Sequence, residues 1–231
     1  GEIFGIGGLT GQGKLGIANG IMGLFPAEGE VKLKGKSIYL NNPKYVLEQG
    51  MAFVSEDRRG LGLLLDQSIF LNISFTAMQI KNSFTKPLLG GLIKWRDEKA
   101  MIKIAREHVE ALQIKCVNEK QLTRELSGGN QQKLCMAKVF VLKPEIIFVS
   151  EPTRGIDVGA KSLVLDTLRH YNSKYGITII MASSELEELR SICERIAIID
   201  EGKIAGILLS TAKPTDFGLL MLGIKDKIKK R

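Results

Sequence analysis

Ser127-Gly128-Gly129 follows the apolar Leu126 and runs into Asn130-Gln131-Gln132, at the start of what reads as a helix. Residues of these types in this order can hold phosphate. Two glycines let backbone N–H groups approach an anion closely, the Ser127 hydroxyl adds a donor, and the helix points its positive end at the charge. A second anion device lies near the amino end. Gly8, Gly13 and Lys14 match the Gly-x-x-x-x-Gly-Lys core of a phosphate-binding loop, with Gly11 and Gln12 inside it and Leu15-Gly16 after it. The glycines permit a tight nest of N–H groups, and the Lys14 ammonium can reach terminal phosphates. A carboxylate completes the set: Glu151 ends the short apolar run from Ile146 and precedes Pro152.

These groups need a scaffold, and the hydrophobic pattern supplies one. Residues 2–7 form a strand running into the glycine-rich 7–16, and 15–24 read as a helix stopped by Pro26 and a Gly29 turn. Residues 30–34 and 37–40, separated by Gly35-Lys36, predict a hairpin, 43–49 a short helix and 51–55 a buried strand. From Ile69 to Leu126 helical periodicity dominates, most clearly over 96–112, with a loop around 87–91. Helix and strand then alternate: helices over 128–142, 158–175 and 185–192, strands over 146–150, 177–182 and 196–200. Residues 203–209 add an edge strand after a Glu201-Gly202 turn. Strands separated by helices of this length imply parallel pairing with right-handed crossovers. The expected fold is α/β: a mostly parallel central sheet flanked by helices, an antiparallel β element and an inserted helical subdomain. No internal repeat is visible.

A chain of 231 residues can bury a full core as one large domain or one domain with an insertion. No apolar run approaches the length of a membrane span, and the amino end lacks a secretory pattern. Cys116, Cys135 and Cys193 have no paired spacing, and His108 and His170 are isolated, so neither a disulfide framework nor a metal cluster is expected. A reducing cytosol suits this usage. The net charge of +8 comes from 33 basic and 25 acidic residues. They mostly alternate along the chain, with a dense basic stretch only at 225–231, which favours a solvated Lys-rich surface over a nucleic-acid face. The chain opens directly on a strand, as a piece of a longer polypeptide would.

Taken together, the Leu126–Gln132 run, the Lys14 loop and the strand ending at Glu151 resemble the ATP-binding cassette (ABC) family, whose fold is a P-loop NTPase of the ABC ATPase type. The resemblance implies one nucleotide-binding domain over 1–231: a RecA-like core with a β subdomain at 1–68 and 127–210, a helical signature subdomain at 69–126 and an extension at 211–231. It makes Gly8, Gly11, Gln12, Gly13, Lys14, Leu15 and Gly16 the nucleotide loop and Glu151 the catalytic carboxylate. Four positions depart from the family pattern. Leu15 replaces the hydroxyl residue that binds Mg²⁺, and Ser150 replaces the carboxylate that holds the same ion. Ser184 stands where a histidine contacts the γ-phosphate, and Glu56 where a glutamine joins metal, water and the membrane partner. Mg²⁺ demands near-octahedral geometry, and phosphoryl transfer depends on positioning and charge neutralisation. The implied site binds ATP or ADP with weak or absent Mg²⁺ and turns over slowly, with no metal ligand of its own at Leu15 or Ser150.

Such domains work in head-to-tail pairs, each ATP lying between one phosphate loop and the other domain's signature. Ser127, Gly128, Gly129, Asn130 and Gln131 are therefore expected to close over ATP, with its Mg²⁺, on a partner cassette, and Asp157 to belong to the loop coupling the two sites. Residues 55–63 and 151–161 are similar to the second domain of bacterial ribose, galactose and xylose importers, in which two cassettes share one polypeptide. That implies an amino-terminal cassette in the same chain, membrane permease subunits, a periplasmic sugar-binding protein acting indirectly, no nucleic acid, and a place on the cytoplasmic face of the inner membrane. Nucleoside importers of related build, and soluble ABC ATPases acting on nucleic acid or the ribosome, are the competing classes. The aromatic residue that stacks on adenine in this family would precede Gly1, and Phe4 is expected in the core.

Overall fold

The chain begins with β1 (Ile3–Gly7) and α1 (Lys14–Ile21), a hairpin of β2 (Val31–Leu33) and β3 (Lys36–Ile38), α2 (Pro43–Glu48) and β4 (Met51–Val54). A π-helical turn (Arg58–Gly62) leads to α3 (Ile69–Lys81), a second hairpin of β5 (Thr85–Leu88) and β6 (Ile93–Arg96), and α4 (Glu98–Ala111). A 3-10 turn (Thr123–Glu125) precedes α5 (Gly128–Phe140), β7 (Ile146–Ser150), α6 (Val158–Tyr175), β8 (Thr178–Ala182) and α7 (Leu186–Ile192). Last come β9 (Arg195–Asp200), β10 (Lys203–Leu209) and α8 (Pro214–Met221). The computed structural model describes residues 1–88 and 93–224.

The central sheet has the order β10-β9-β1-β8-β7-β4. All its neighbours pair in parallel except β10, which runs antiparallel on β9. Parallel strands covered by helices on both faces read as near-continuous apolar runs, and β7 and β9 do so, with four consecutive buried residues each. Edge strand β10 carries no buried residue. The expected interruption of the sheet holds: β1 and β4 come before the helical stretch, β7 to β10 after it.

Local signals account for most element ends. Asp97 caps α4 by accepting from the Ala100 N–H at 3.2 Å, and Gly176, at φ 65°, ends α6 in the left-handed region. The first hairpin turns through Lys34 and Gly35, at φ 51° and 78°. Positive φ at both central residues is the two-residue turn that matches strand twist, so Lys36 opens β3 instead of belonging to the turn.

Three expectations are corrected. The region expected to be helical with a loop at 87–91 contains an antiparallel hairpin, in which Pro87 lies opposite Lys94. A proline is tolerated there because each strand of a two-stranded ribbon has a free edge; residues 89–92 lie outside the described residues. The stretch after 210 is more than an extension, since α8 buries Phe217 completely and Leu220 nearly so against the main core; the basic stretch 225–231 lies outside the described residues. Phe4 is half-buried at the margin of the core, with the Arg195 guanidinium 5.4 Å from its ring centre.

One continuous core joins sheet and helices. Ile147, Ile179, Met181 and Ile196 of the sheet share it with Ile69 and Ile73 of α3, Met101 of α4 and Leu134 of α5. Within it, Asn72 staples the approach to α3 to the segment before α5. Its Oδ1 accepts from the Leu64 N–H (2.8 Å), and its Nδ2 donates to Leu64 O (2.9 Å), Ser68 O (3.1 Å) and Thr123 Oγ1 (2.9 Å). Asn72→Ala strands these buried groups, and the expected loss is about 2 kcal/mol. A denaturant titration should show the midpoint falling with an unchanged slope.

Candidate functional site

Because β1, β7, β8 and β9 run in one direction, the loops leaving their C-terminal ends share one edge of the sheet, where open α/β sheets place their ligand crevice. The register brings those ends level: Ala182 lies opposite Ile6 on one side and Ser150 on the other, and Gly7 lies opposite Ile198. Gly8 then leaves β1 at φ 147°, so close to β9 that a Cβ would stand 2.4 Å from the Ile199 carbonyl oxygen. Gly11 and Gly13 also have positive φ, and Gly13 starts α1 from the left-handed region. Gln12 fixes the loop from outside: its Oε1 accepts from the Glu201 N–H at 2.6 Å, and its carbonyl from the Gly202 N–H at 3.2 Å.

Lys14, the first residue of α1, is 3% exposed. Its ammonium lies 3.3 Å from Gly8 O, 3.5 Å from Leu9 O and 3.6 Å from Glu151 Oε1. Glu151 sits at φ 45°, uncommon for a residue with a side chain, and its N–H donates to Ala182 O at 2.8 Å. The Ser184 hydroxyl donates to Glu151 Oε1 at 2.6 Å. Lysine, carboxylate and hydroxyl face a cleft of about 670 Å³, which Gly11, Gly13, Leu15, Gly16 and the Thr153–Ile156 segment also line. A glycine-rich turn opening a helix, with one buried ammonium, suits polyphosphate.

Neither Leu15 nor Ser150 carries a charge. Leu15 packs towards Ile6, Ala182 and Ile199, and Ser150 is fully buried with its hydroxyl unpaired. Among the described residues no group of three His, Cys, Asp or Glu side chains could cage an ion. Glu56 lies off the cleft lining; its carboxylate accepts from Asn19 Nδ2 at 3.3 Å and from the Ser55 hydroxyl at 3.4 Å.

The structure adds a cluster that the sequence reading missed. Glu188 of α7 is 7% exposed and accepts from Thr153 Oγ1 (2.6 Å to each oxygen), Ser183 Oγ (3.0 Å) and Lys161 Nζ (3.3 Å). Lys161 also donates to Glu185 at 2.5 Å. That bond holds the lysine above its ordinary pKa and the Glu185 carboxyl below its own. Glu188 thus ties the segment after Glu151 to the one around Ser184. On a short helix with Glu185 and Glu187 nearby it looks like any surface carboxylate. The available signal is Thr153 and Ser183, hydroxyl residues placed just after two buried strands.

Ser127 to Gln131 do not line this cleft. Ser127 precedes α5, its hydroxyl accepts from Asn130 Nδ2 at 2.9 Å, and Asn130 Oδ1 accepts from the Lys115 N–H at 2.9 Å. Gln131 is buried and donates to Thr123 O at 3.3 Å. Gly128 and Gly129 lie against Arg58, Gly155 and Ala160. Asp157 caps α6 through the Ala160 N–H at 2.9 Å.

A glycine nest and buried lysine at the C-terminal edge of a parallel sheet, with a second glycine turn opening a helix elsewhere, define a P-loop NTPase of the ABC ATPase type. The ABC transporter family model matches residues 1–154, and the chain belongs to that family. It is 39% identical over 210 residues to the ribose import ATP-binding protein RbsA of Lactococcus lactis, covering 90% of this chain and 40% of that protein. It is also 39% identical to the xylose import ATP-binding protein XylG of Thermoanaerobacter pseudethanolicus, over 89% of this chain and 39% of that one. The chain therefore spans about two fifths of the length of these relatives. Its fold matches the ATP-binding cassette MJ0796 in a dimeric post-hydrolysis state with ADP and Pi, at a TM-score of 0.73 and 21% identity, over 92% of this chain and 87% of that one.

The close approach at Gly8 gives a test of the cradle that needs no ligand. Gly8→Ala forces a side chain into the Ile199 carbonyl at a backbone angle it rarely adopts, and should cost about 3 kcal/mol. Gly11→Ala meets nothing within 4 Å and should cost only its left-handed strain, about 1 kcal/mol. Calorimetric unfolding of the two variants should show this order.

Proposed function

We propose that this chain is the ATP-binding, energy-coupling domain of a sugar importer, with a degenerate ATP site of its own and an intact signature that completes the site of a second cassette. The carrying observation is an asymmetry. Ser127-Gly128-Gly129 opens α5 in full, whereas the two positions that the family resemblance gives to metal ligands hold Leu15, on the cleft lining, and Ser150, fully buried at the end of β7. Names of the relatives, ribose and xylose import ATP-binding proteins, support the substrate class.

In this reading the Gly8–Gly16 loop and Lys14 hold the phosphates of ATP or ADP. Glu151 is the candidate base and Ser184 its positioning hydroxyl. A protein-held Mg²⁺ does not fit the residues present, and no step at this site is routed through one. Ser127, Gly128, Gly129 and Asn130 face ATP and Mg²⁺ on an amino-terminal cassette of the same polypeptide, with Asp157 in the coupling segment; Gln131, expected among them, is instead buried and bonded to Thr123 O, and supports the turn from inside. Residues 1–68 and 127–210 act as the core, joined by α8, and 69–126 as the helical unit that leads into the Ser127 turn. The domain sits on the cytoplasmic face of the membrane against permease subunits, and a periplasmic sugar-binding protein acts through them. Their docking site is the groove of about 220 Å³ beside Glu56, lined by Met22, Leu47, Phe53, Leu61 and Val139 among others. Among the described residues no helix is long and apolar enough to cross a membrane.

Two experiments test the asymmetry. The 231-residue chain with Mg²⁺ and ATP should release phosphate negligibly. Leu15→Ser with Ser150→Asp should make nucleotide binding tighten on adding Mg²⁺ by about tenfold, the worth of one charge-assisted contact; calorimetry showing no metal effect in that variant would remove the argument from missing ligands. In the two-cassette polypeptide, Ser127→Arg should abolish ATPase activity, and an unchanged rate would mean that the Ser127 turn does not serve the other site.

A further inference from the structure

Arg58 opens the π-helical turn and stands where three segments meet. Its Nη1 donates to the Arg154 carbonyl at 3.0 Å. Its Nη2 lies 3.0 Å from where a Gly128 Cβ would be, and its guanidinium lies within 4 Å of a Cβ placed on Gly155. Its Nε is buried and without a partner, and among the described residues no carboxylate pairs with it. The other end of the turn is strapped to the middle of α5. Lys138 Nζ donates to Gly62 O at 2.9 Å, and a Cβ on Gly62 would stand 3.0 Å from Cys135 Sγ. Leu61, Gly62, Cys135 and Lys138 also line the apolar groove next to Glu56. One five-residue turn therefore touches the groove at one end and both the Ser127–Gly129 turn and the Arg154–Gly155 segment at the other. π-helical geometry is rare and frequently found at functional sites.

We infer that Arg58 is a positioning residue that clamps the Ser127–Gly129 turn to the Arg154–Asp157 segment, and that the π turn transmits displacement at the groove to this pair. The functional meaning rests on the proposed reading, in which both segments face the second cassette's nucleotide and the groove receives the permease. The mechanical link stands apart from it. A planar guanidinium hydrogen-bonded to the Arg154 carbonyl and lying close against Gly128 holds its orientation between the two segments as a point charge cannot. A side chain at Gly128 would crowd the Arg58 guanidinium, which would have to shift by a few tenths of an ångström.

The test is amide exchange by NMR on the 231-residue chain, read at two hydrogen-bonded amides beside the clamp, Gln131 (to Ser127 O, 2.9 Å) and Arg154 (to Glu151 O, 3.2 Å). Arg58→Ala should speed exchange at both by about tenfold, the loss of one charge-assisted hydrogen bond. Arg58→Lys should not restore protection. Lys138→Met, which frees the far end of the turn, should speed exchange at Arg154 severalfold in the parent chain and add nothing in the Arg58→Ala background. Equal acceleration in both backgrounds, or none in the parent, overturns the link, since a merely local contact gives additive effects. Protection at Ile179, in the sheet, reports that the fold is intact; should Lys138→Met lower it, Gly62→Ala supplies the displacement instead. If the chain fails to bind nucleotide, the proposed function falls while this exchange pattern still stands or fails on its own.

Discussion

Strand β1 runs between β8 and β9 and parallel to both, and the chemistry of the molecule depends on that placement. Gly7 pairs with Ile198, and Gly8 then turns so close under the Ile199 carbonyl that only a residue without a side chain fits. The loop is thereby aimed over the sheet edge, and α1 begins with Lys14 buried. A buried ammonium is costly unless compensated. Here the carbonyls of Gly8 and Leu9 and the Glu151 carboxylate compensate it at 3.3 to 3.6 Å. These are long contacts, so phosphate oxygens entering the cleft compete with them on favourable terms.

The same edge carries two carboxylates with opposite assignments, and their surroundings explain the difference. Glu188 is buried and accepts from two hydroxyls and an ammonium, so it acts as a rivet between the Thr153 and Ser183 segments. Glu151 takes one hydroxyl and one distant ammonium, and its backbone is held in the left-handed region by the loop around it. Strain persists only where neighbouring structure over-determines it. The Glu188 rivet, two residues along from Glu151 at Thr153, is part of what does so.

Motif and periodicity made the phosphate loop, the Ser127 turn and the parallel sheet legible, because each depends on glycine at fixed offsets or on runs of buried aliphatics. What stayed hidden depends on partners distant in sequence. Pro87 and the glycines after it mark a loop by local rules, yet the chain pairs there because Phe84 O accepts from the Asp97 N–H at 2.7 Å and continues the ladder. The π turn carries two glycines in five residues, which argues against any helix; its shape comes from Asp57, whose carboxylate accepts from the Gly60 N–H at 2.8 Å and whose carbonyl accepts from both Leu61 and Gly62. Residues 151–161 stood out as a unit without revealing why. The fold divides them: Thr153 binds Glu188, the Arg154 carbonyl receives Arg58, Asp157 caps α6, and Lys161 pairs with Glu185.

In the proposed reading, Leu15 and Ser150 also make sense of each other. A carboxylate at position 150 would lie at the fully buried end of β7, where an uncompensated charge costs several kcal/mol. A bound cation would offset that cost, but its second holder would be the side chain after Lys14, and Leu15 turns instead to Ile6, Ala182 and Ile199. With leucine in place, a neutral hydroxyl at 150 is the cheaper occupant, even unpaired, because an orphaned hydroxyl costs less than an orphaned carboxylate. With serine in place, leucine loses nothing by packing inward. In the proposed reading the two residues suit each other, and a metal-binding variant requires both positions to change together.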